Sequence, residues 1–149
     1  MAMTNRGVAN MEEVVFQGAT PPTNFYAALV TSATAPTVDT NTLGELTEIA
    51  AGNGYTAGGI QLSRNAVDFA VTEDDGNDRA DTVIKDLVWT ATGGALPASG
   101  SGASYLVLTD DNGTLGSREV WAYWDLSGPI SVSSGQSLTV QDATMRGTT

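Results

Sequence analysis

The sequence predicts a mainly β fold, an antiparallel β-sandwich or jelly-roll-like barrel with a short N-terminal helix and one minor helical turn. Three observations predict it. Short apolar segments of period two recur along the chain, separated by Gly, Ser and Pro. A clear helical apolar stripe occurs near the N-terminus. A chain of 149 residues fits one domain, which at that size buries roughly 70% of its unfolded surface.

Residues 4–17, TNRGVANMEEVVFQ, are the helix candidate. Val8, Met11 and Val15 fall at i, i+3 and i+7, and Gly18 is placed to stop the helix. Gly7 weakens the first turn, so the ordered helix is expected to begin after it. Pro21 and Pro22 end the segment. Residues 1–22 therefore read as a helix or arm with a Pro linker, and residues 23–149 as a single β domain.

NFYAALVT is apolar on both faces, with Phe25, Ala27 and Leu29 on one and Tyr26, Ala28 and Val30 on the other, which predicts a central strand. LGELTEIAAG, residues 43–52, places Leu43, Leu46 and Ile49 at three-residue spacing before Gly52 and predicts a short helix. GNGYTAGGIQLSR reads as a glycine-rich turn around Tyr55 leading into a short strand. In AVDFAV, Val67, Phe69 and Val71 alternate with Asp68 and Ala70. In DTVIKDLVWT, Val83, Leu87 and Trp89 share one face, interrupted by Lys85, and Ile84 and Val88 share the other with Asp86. SYLVLT is a short two-faced strand, and DDNG at residues 110–113 predicts a hairpin turn at Asn-Gly. WAYWDL, GPISV and QSLTV complete the strands. In the first of them Val120, Ala122, Trp124 and Leu126 alternate onto a core face, which sends Trp121 and Tyr123 to the opposite face.

Composition narrows the chemistry. The chain has no Cys and no His, which excludes Ser-His, Cys-His and zinc-type sites. With 17 acidic and 6 basic residues, a net charge of −11, it is expected to bind neither nucleic acid nor an anionic membrane, and a charged partner should be basic. The N-terminus, MAMTNRGVANMEEVV, carries Glu12 and Glu13 and no apolar core of a signal peptide. TEDDGNDRAD, residues 72–81, is dense in carboxylates, but its spacing departs from a calcium-binding loop and Arg79 lies inside it, so it reads as a solvated turn. No pair of acids is singled out for glycoside hydrolysis, and Ser133 and Ser134 have no base to activate them. No catalytic residue, metal or cofactor is expected.

Three stretches carry a resemblance: NFYAALVTSATAPT, the glycine-and-tyrosine turn GNGYTAGGIQL, and WAYWDLSGPISVSSGQSLTVQDATM. Together they resemble a family of small tailed-bacteriophage virion proteins, head decoration (cement) or tail-fibre-like, across about Asn24 to Thr144. The sequence departs from the family pattern in GYTAGGIQ, which replaces a basic turn, and in the acidic TEDDGNDRAD stretch. The resemblance implies a non-enzymatic capsid decoration protein, made in a host cytoplasm and located on the capsid surface of the virion. It would bind the outside of the shell, stabilise contacts between major capsid protein subunits, and self-associate as a dimer or trimer. The alternative it leaves open is a tail-fibre or receptor-binding component that recognises host surface carbohydrate, with Trp121, Tyr123 and Asp125 as the contact trio. On the decoration reading the interface candidates are Met11, Val15 and Phe16 of the helix, followed by Trp121 and Tyr123.

Overall fold

The computed structural model describes residues 1–148. Ten strands and one α-helix follow the order β1 (Ala2–Met3), α1 (Asn5–Phe16), β2 (Asn24–Val30), β3 (Ile60–Ser63), β4 (Phe69–Asp74), β5 (Arg79–Ile84), β6 (Leu87–Thr90), β7 (Ala103–Thr109), β8 (Val120–Ile130), β9 (Ser137–Val140) and β10 (Thr144–Thr148). They form a five-stranded sheet of order β1-β8-β7-β2-β3, a three-stranded sheet β10-β5-β4 and a two-stranded sheet β6-β9. Every pairing is antiparallel. The fold is mainly β and sandwich-like, as the sequence pattern predicts.

β2 and β7 are flanked by strands on both sides and apolar on both faces, so the large sheet needs cover above and below. On one face Ala27, Leu29, Leu106, Leu108 and Trp124 meet Ile84, Leu87, Trp89 and Leu138 of the two smaller sheets, forming the main core. On the other face Ala28, Val30, Val107 and Val120 are covered by Leu43, Leu46 and Leu115 from connecting segments. Trp124 Nε1 donates to Thr144 O at 3.1 Å, tying the large sheet to the segment that opens β10.

The segment 43–52 is not a helix beyond a single 3-10 turn at Leu43–Glu45. The chain then extends along β2: Glu48 bridges Val30 and the Ile49 N–H donates to Leu29 O at 3.0 Å. The reason is visible in the burial. Leu43 belongs to the minor core and Ile49 to the main core, on opposite faces of the sheet, which one helical stripe cannot serve. Tyr55 closes this region. Its hydroxyl accepts the Leu29 N–H at 3.0 Å and donates to the Glu48 carboxylate, and burial pushes its pKa well above the ordinary tyrosine range.

Four other expectations are corrected. DTVIKDLVWT is two strands, and the break at Lys85–Asp86 brings Ile84 onto the same core as Leu87 and Trp89. GPISV is not a separate strand, because β8 runs through Gly128 and Pro129 to Ile130. The Asn112-Gly113 pair does not form a tight hairpin with positive φ. Ten residues separate β7 from β8, held by the Asp110 carboxylate, which accepts the N–H groups of Asn112 and Glu119. TEDDGNDRAD is not a loop but most of the β4–β5 hairpin, with its turn at Asp75–Asn77 and Asp78 in the left-handed region.

Asp68 pins that hairpin to the body. Its carboxylate meets Lys85 Nζ at 2.7 Å and accepts the Ser63 N–H at 2.7 Å, joining the end of β3 to the start of β4 and the end of β5. Paired in this way, the acid is buried while its apolar neighbours Val67 and Val71 are exposed, the reverse of a simple alternating strand. The hydrogen bond from Lys85, then that from Ser63, holds the Asp68 carboxyl below the ordinary aspartate range. A carboxyl with a lowered folded-state pKa contributes stability above its unfolded value, and that contribution fades as pH falls through the folded value. Asp68→Asn should therefore cost about 1–3 kcal/mol at neutral pH. In urea titrations repeated across pH, the gap from the parent chain should narrow below about pH 4.

Candidate docking surface

Helix α1 begins where the chain leaves β1, whose Ala2 and Met3 pair with Tyr123 and Ala122 of β8. The segment set apart as residues 1–22 is thus stitched into the large sheet. Thr4 is the N-cap and its hydroxyl accepts the Gly7 N–H at 2.9 Å. Thr4 also donates its own N–H to Trp121 O at 3.1 Å and its hydroxyl proton to Val120 O. These carbonyls lie at an irregularity in β8. Leu108 pairs with Ala122 and Thr109 with Val120, so Trp121 is an extra residue without a partner on β7, a β-bulge.

The bulge overturns the predicted face of Trp121. Alternation holds from Trp124 back to Ala122 and then slips by one, so Trp121 joins Ala122 and Trp124 on the main core while Val120 moves to the minor core. Trp121 is only 7% exposed and packs edge-on against Phe25, with ring centroids 4.9 Å apart. Tyr123 keeps its predicted side and packs, half-buried, against the minor core. Asp125 is exposed and accepts the Ser127 N–H. Trp121, Tyr123 and Asp125 therefore do not share a face, and no sugar-stacking trio is assembled.

The helix faces are also the reverse of a simple amphipathic reading. Gly7 and Asn10 are its buried residues, and a Cβ on Gly7 would stand 2.3 Å from Trp121 O. Gly7 therefore does not delay the helix; it is where the helix touches the bulge. Asn10 Nδ2 donates to Glu119 Oε2 at 2.7 Å, and Arg6 Nε to Glu119 Oε1 at 2.9 Å. The hydrogen bond to Glu119 raises the Arg6 pKa further. A cavity of 180 Å³ beside this clamp is lined by Arg6, Asn10, Asp110 and Glu119. Burial raises the Asp110 pKa. Each oxygen of Glu119 already has a donor, so this acid serves to hold the helix.

With Gly7 and Asn10 turned inward, the apolar stripe turns outward. Val8 and Met11 are exposed, Val15 is 69% exposed and Phe16 81% exposed. Gly18, at φ 70°, ends the helix as predicted. Beyond it Pro21, Pro22, Phe25 and Arg64 line a furrow of 260 Å³ with Met11 and Val15. A second depression shares Phe25 and Arg64 and runs on to Phe69 and Val71 of β4. Sequence reasoning named Met11, Val15 and Phe16 but not Arg64, which lines both depressions, or Val71, which lines the second. The signal for the helix orientation was Gly7, Asn10 and Val14 at i, i+3 and i+7, a small and polar stripe suited to close packing.

Asp74 and Asp81 of the β4–β5 hairpin are held in ion pairs. Arg79 reaches Asp74 at 3.2 Å and Asp81 at 3.3 Å, and Arg146 of β10 reaches Asp81 at 2.8 Å. The hydrogen bond from Arg146 keeps the Asp81 carboxyl below the ordinary range. Among the described residues no three acids are grouped as metal ligands. No helix among them is long and apolar enough to cross a membrane. Comparison with protein-family models, curated proteins and solved structures finds no match.

Three substitutions separate surface from core. Phe16→Ser should leave chemical-denaturation stability within about 0.5 kcal/mol of the parent chain. Trp121→Ala should cost about 3–5 kcal/mol, because it opens a cavity beneath the helix. Gly7→Ala should also destabilise, by about 1–3 kcal/mol: the alanine gains about 1 kcal/mol in helix propensity, but its Cβ meets backbone that cannot yield.

Proposed function

We propose that this chain is a non-catalytic structural protein of a tailed-bacteriophage particle, a capsid decoration protein that docks on the outside of the shell. The observation that carries the proposal is the outward apolar face of α1. Met11, Val15 and Phe16 contribute little to the chain's own core, yet the helix that bears them is clamped by Thr4, Asn10 and Glu119. A rigidly presented apolar face loses little conformational freedom when a partner covers it.

The energetics suit a protein that works in many copies. Burying a side chain such as Phe16 or Val15 stabilises by roughly 1.5–3 kcal/mol. A few such contacts, repeated over a shell, reinforce every junction between major capsid subunits without needing a tight individual complex. The net charge of −11 keeps crowded copies soluble and suits a basic receiving surface. The family resemblance supports the same reading: its three stretches correspond to β2, the turn into β3, and β8 with β9.

The test is location and abundance on purified particles. The chain should stain on a virion gel in copy number comparable to the major capsid protein, and immunogold label should spread over heads. A Phe16→Asp variant, folded as the parent, should fail to decorate particles that lack the protein. Label confined to tails, or absent from particles, would overturn the proposal.

A further inference from the structure

The exposed edge of β4 supplies a second docking feature, independent of the helix face. Among the described residues β4 pairs only with β5, and residues 70–73 are exposed. The phase of the ladder is set by the Lys85 N–H, which donates to Asp68 O at 3.1 Å. In an antiparallel pair hydrogen-bonded positions alternate, so Ala70, Thr72 and Asp74 direct their backbone groups to Val83, Asp81 and Arg79. The N–H and C=O groups of Val71 and Glu73 then point away from β5, with no partner among the described residues.

Such an edge is usually blunted. Here β1 has two residues and β3 four, which protects the large sheet by shortness. β4 has six residues, FAVTED, with no Pro, no Lys and no bulge. Its first residue, Phe69, packs edge-on against Phe25 at 5.6 Å, and Phe69, Val71 and Arg64 line a depression that shares Phe25 and Arg64 with the helix furrow. Unpaired backbone groups beside an apolar trough fit an extended chain, because a strand satisfies the backbone while alternate side chains enter the trough.

Charge selects the occupant. Residues 73–81 hold Glu73, Asp74, Asp75, Asp78 and Asp81 against Arg79 alone, with Arg146 alongside. A second copy would bring the same acidic strand and a net charge of −11 to this edge, and like charges on paired strands repel. We propose that the β4 edge receives an extended segment of a partner protein, alternating apolar with Lys or Arg residues, as an added strand of the β10-β5-β4 sheet. This inference does not depend on the particle assignment, since a defined peptide tests the edge without any particle.

The experiment titrates the full chain with a capped eight-residue Val/Lys alternating peptide, followed by backbone amide shifts in NMR and by calorimetry. Saturable shifts centred on residues 69–74 are expected. Methylating alternate peptide amides, which removes their N–H donors and keeps the side chains and charge, should weaken binding by about tenfold or more, and so should replacing Lys with Glu. Val71→Pro should weaken binding to a similar extent, because it deletes an outward N–H and leaves the β5 ladder intact. Four results would overturn the proposal: no saturable binding at about 1 mM peptide, equal binding of the methylated peptide, equal binding of the Glu peptide, or concentration-dependent pairing of the chain with itself through β4.

Discussion

The extra residue in β8 is the constraint on which the rest of this structure depends. A strand that inserts one residue against its neighbour must reverse its faces on one side of the insertion and leave backbone carbonyls outside the ladder. Both consequences are used. The reversal sends Trp121 into the main core beside Phe25, and the freed carbonyls of Val120 and Trp121 become the anchor for Thr4, which starts the helix. Gly7 then fits where any larger residue would strike the Trp121 backbone. One irregularity thus fixes the position of the N-terminal strand, the register of the helix and the direction of its apolar stripe.

Much of the fold was legible because it rests on local pattern. β2 and β7 announce themselves as two-faced apolar runs, and the end of the helix was placed to within a residue by Gly18, whereas its start at Asn5 lies before Gly7, where the weak first turn was expected to delay it. What was not legible depends on pairing between distant segments. The bulge is a mismatch between two strands, so alternation within WAYWDL alone put Trp121 on the wrong side. The 43–52 segment has helical spacing, but Leu43 and Ile49 are claimed by cores on opposite faces of one sheet, and tertiary demand overrides a weak local preference. Asp68 looked like a solvent-facing residue because its partner Lys85 lies across the hairpin. Of the candidate docking surface, Met11, Val15 and Phe16 could be named from sequence, whereas Arg64 and Val71 reach the adjoining depression only through the fold.

The molecule divides its apolar residues between two tasks. The large side chains of the main core are shielded between sheets, while a smaller set on α1 and β4 stays exposed along two depressions that share Phe25 and Arg64. Contiguous exposed apolar surface on a strongly acidic protein is costly to keep unless something covers it. Its polar counterpart is equally ordered: Arg6, Arg79, Arg146 and Lys85 each pair with carboxylates, within a chain whose net charge is −11. On the reading proposed above, such a surface suits a partner that is apolar at the contact and basic around it.

The placement of the indoles carries one more consequence. All three tryptophans, Trp89, Trp121 and Trp124, are buried in the same core cluster, and Tyr55 lies 6.4 Å from Trp89. The chain therefore holds its own optical gauge. Intrinsic fluorescence is emitted from dry, close-packed surroundings and shifts to the red only when that core opens. Because Trp121 lies under the helix and lines the furrow, its emission also senses whatever settles on that face, with no label attached to the protein.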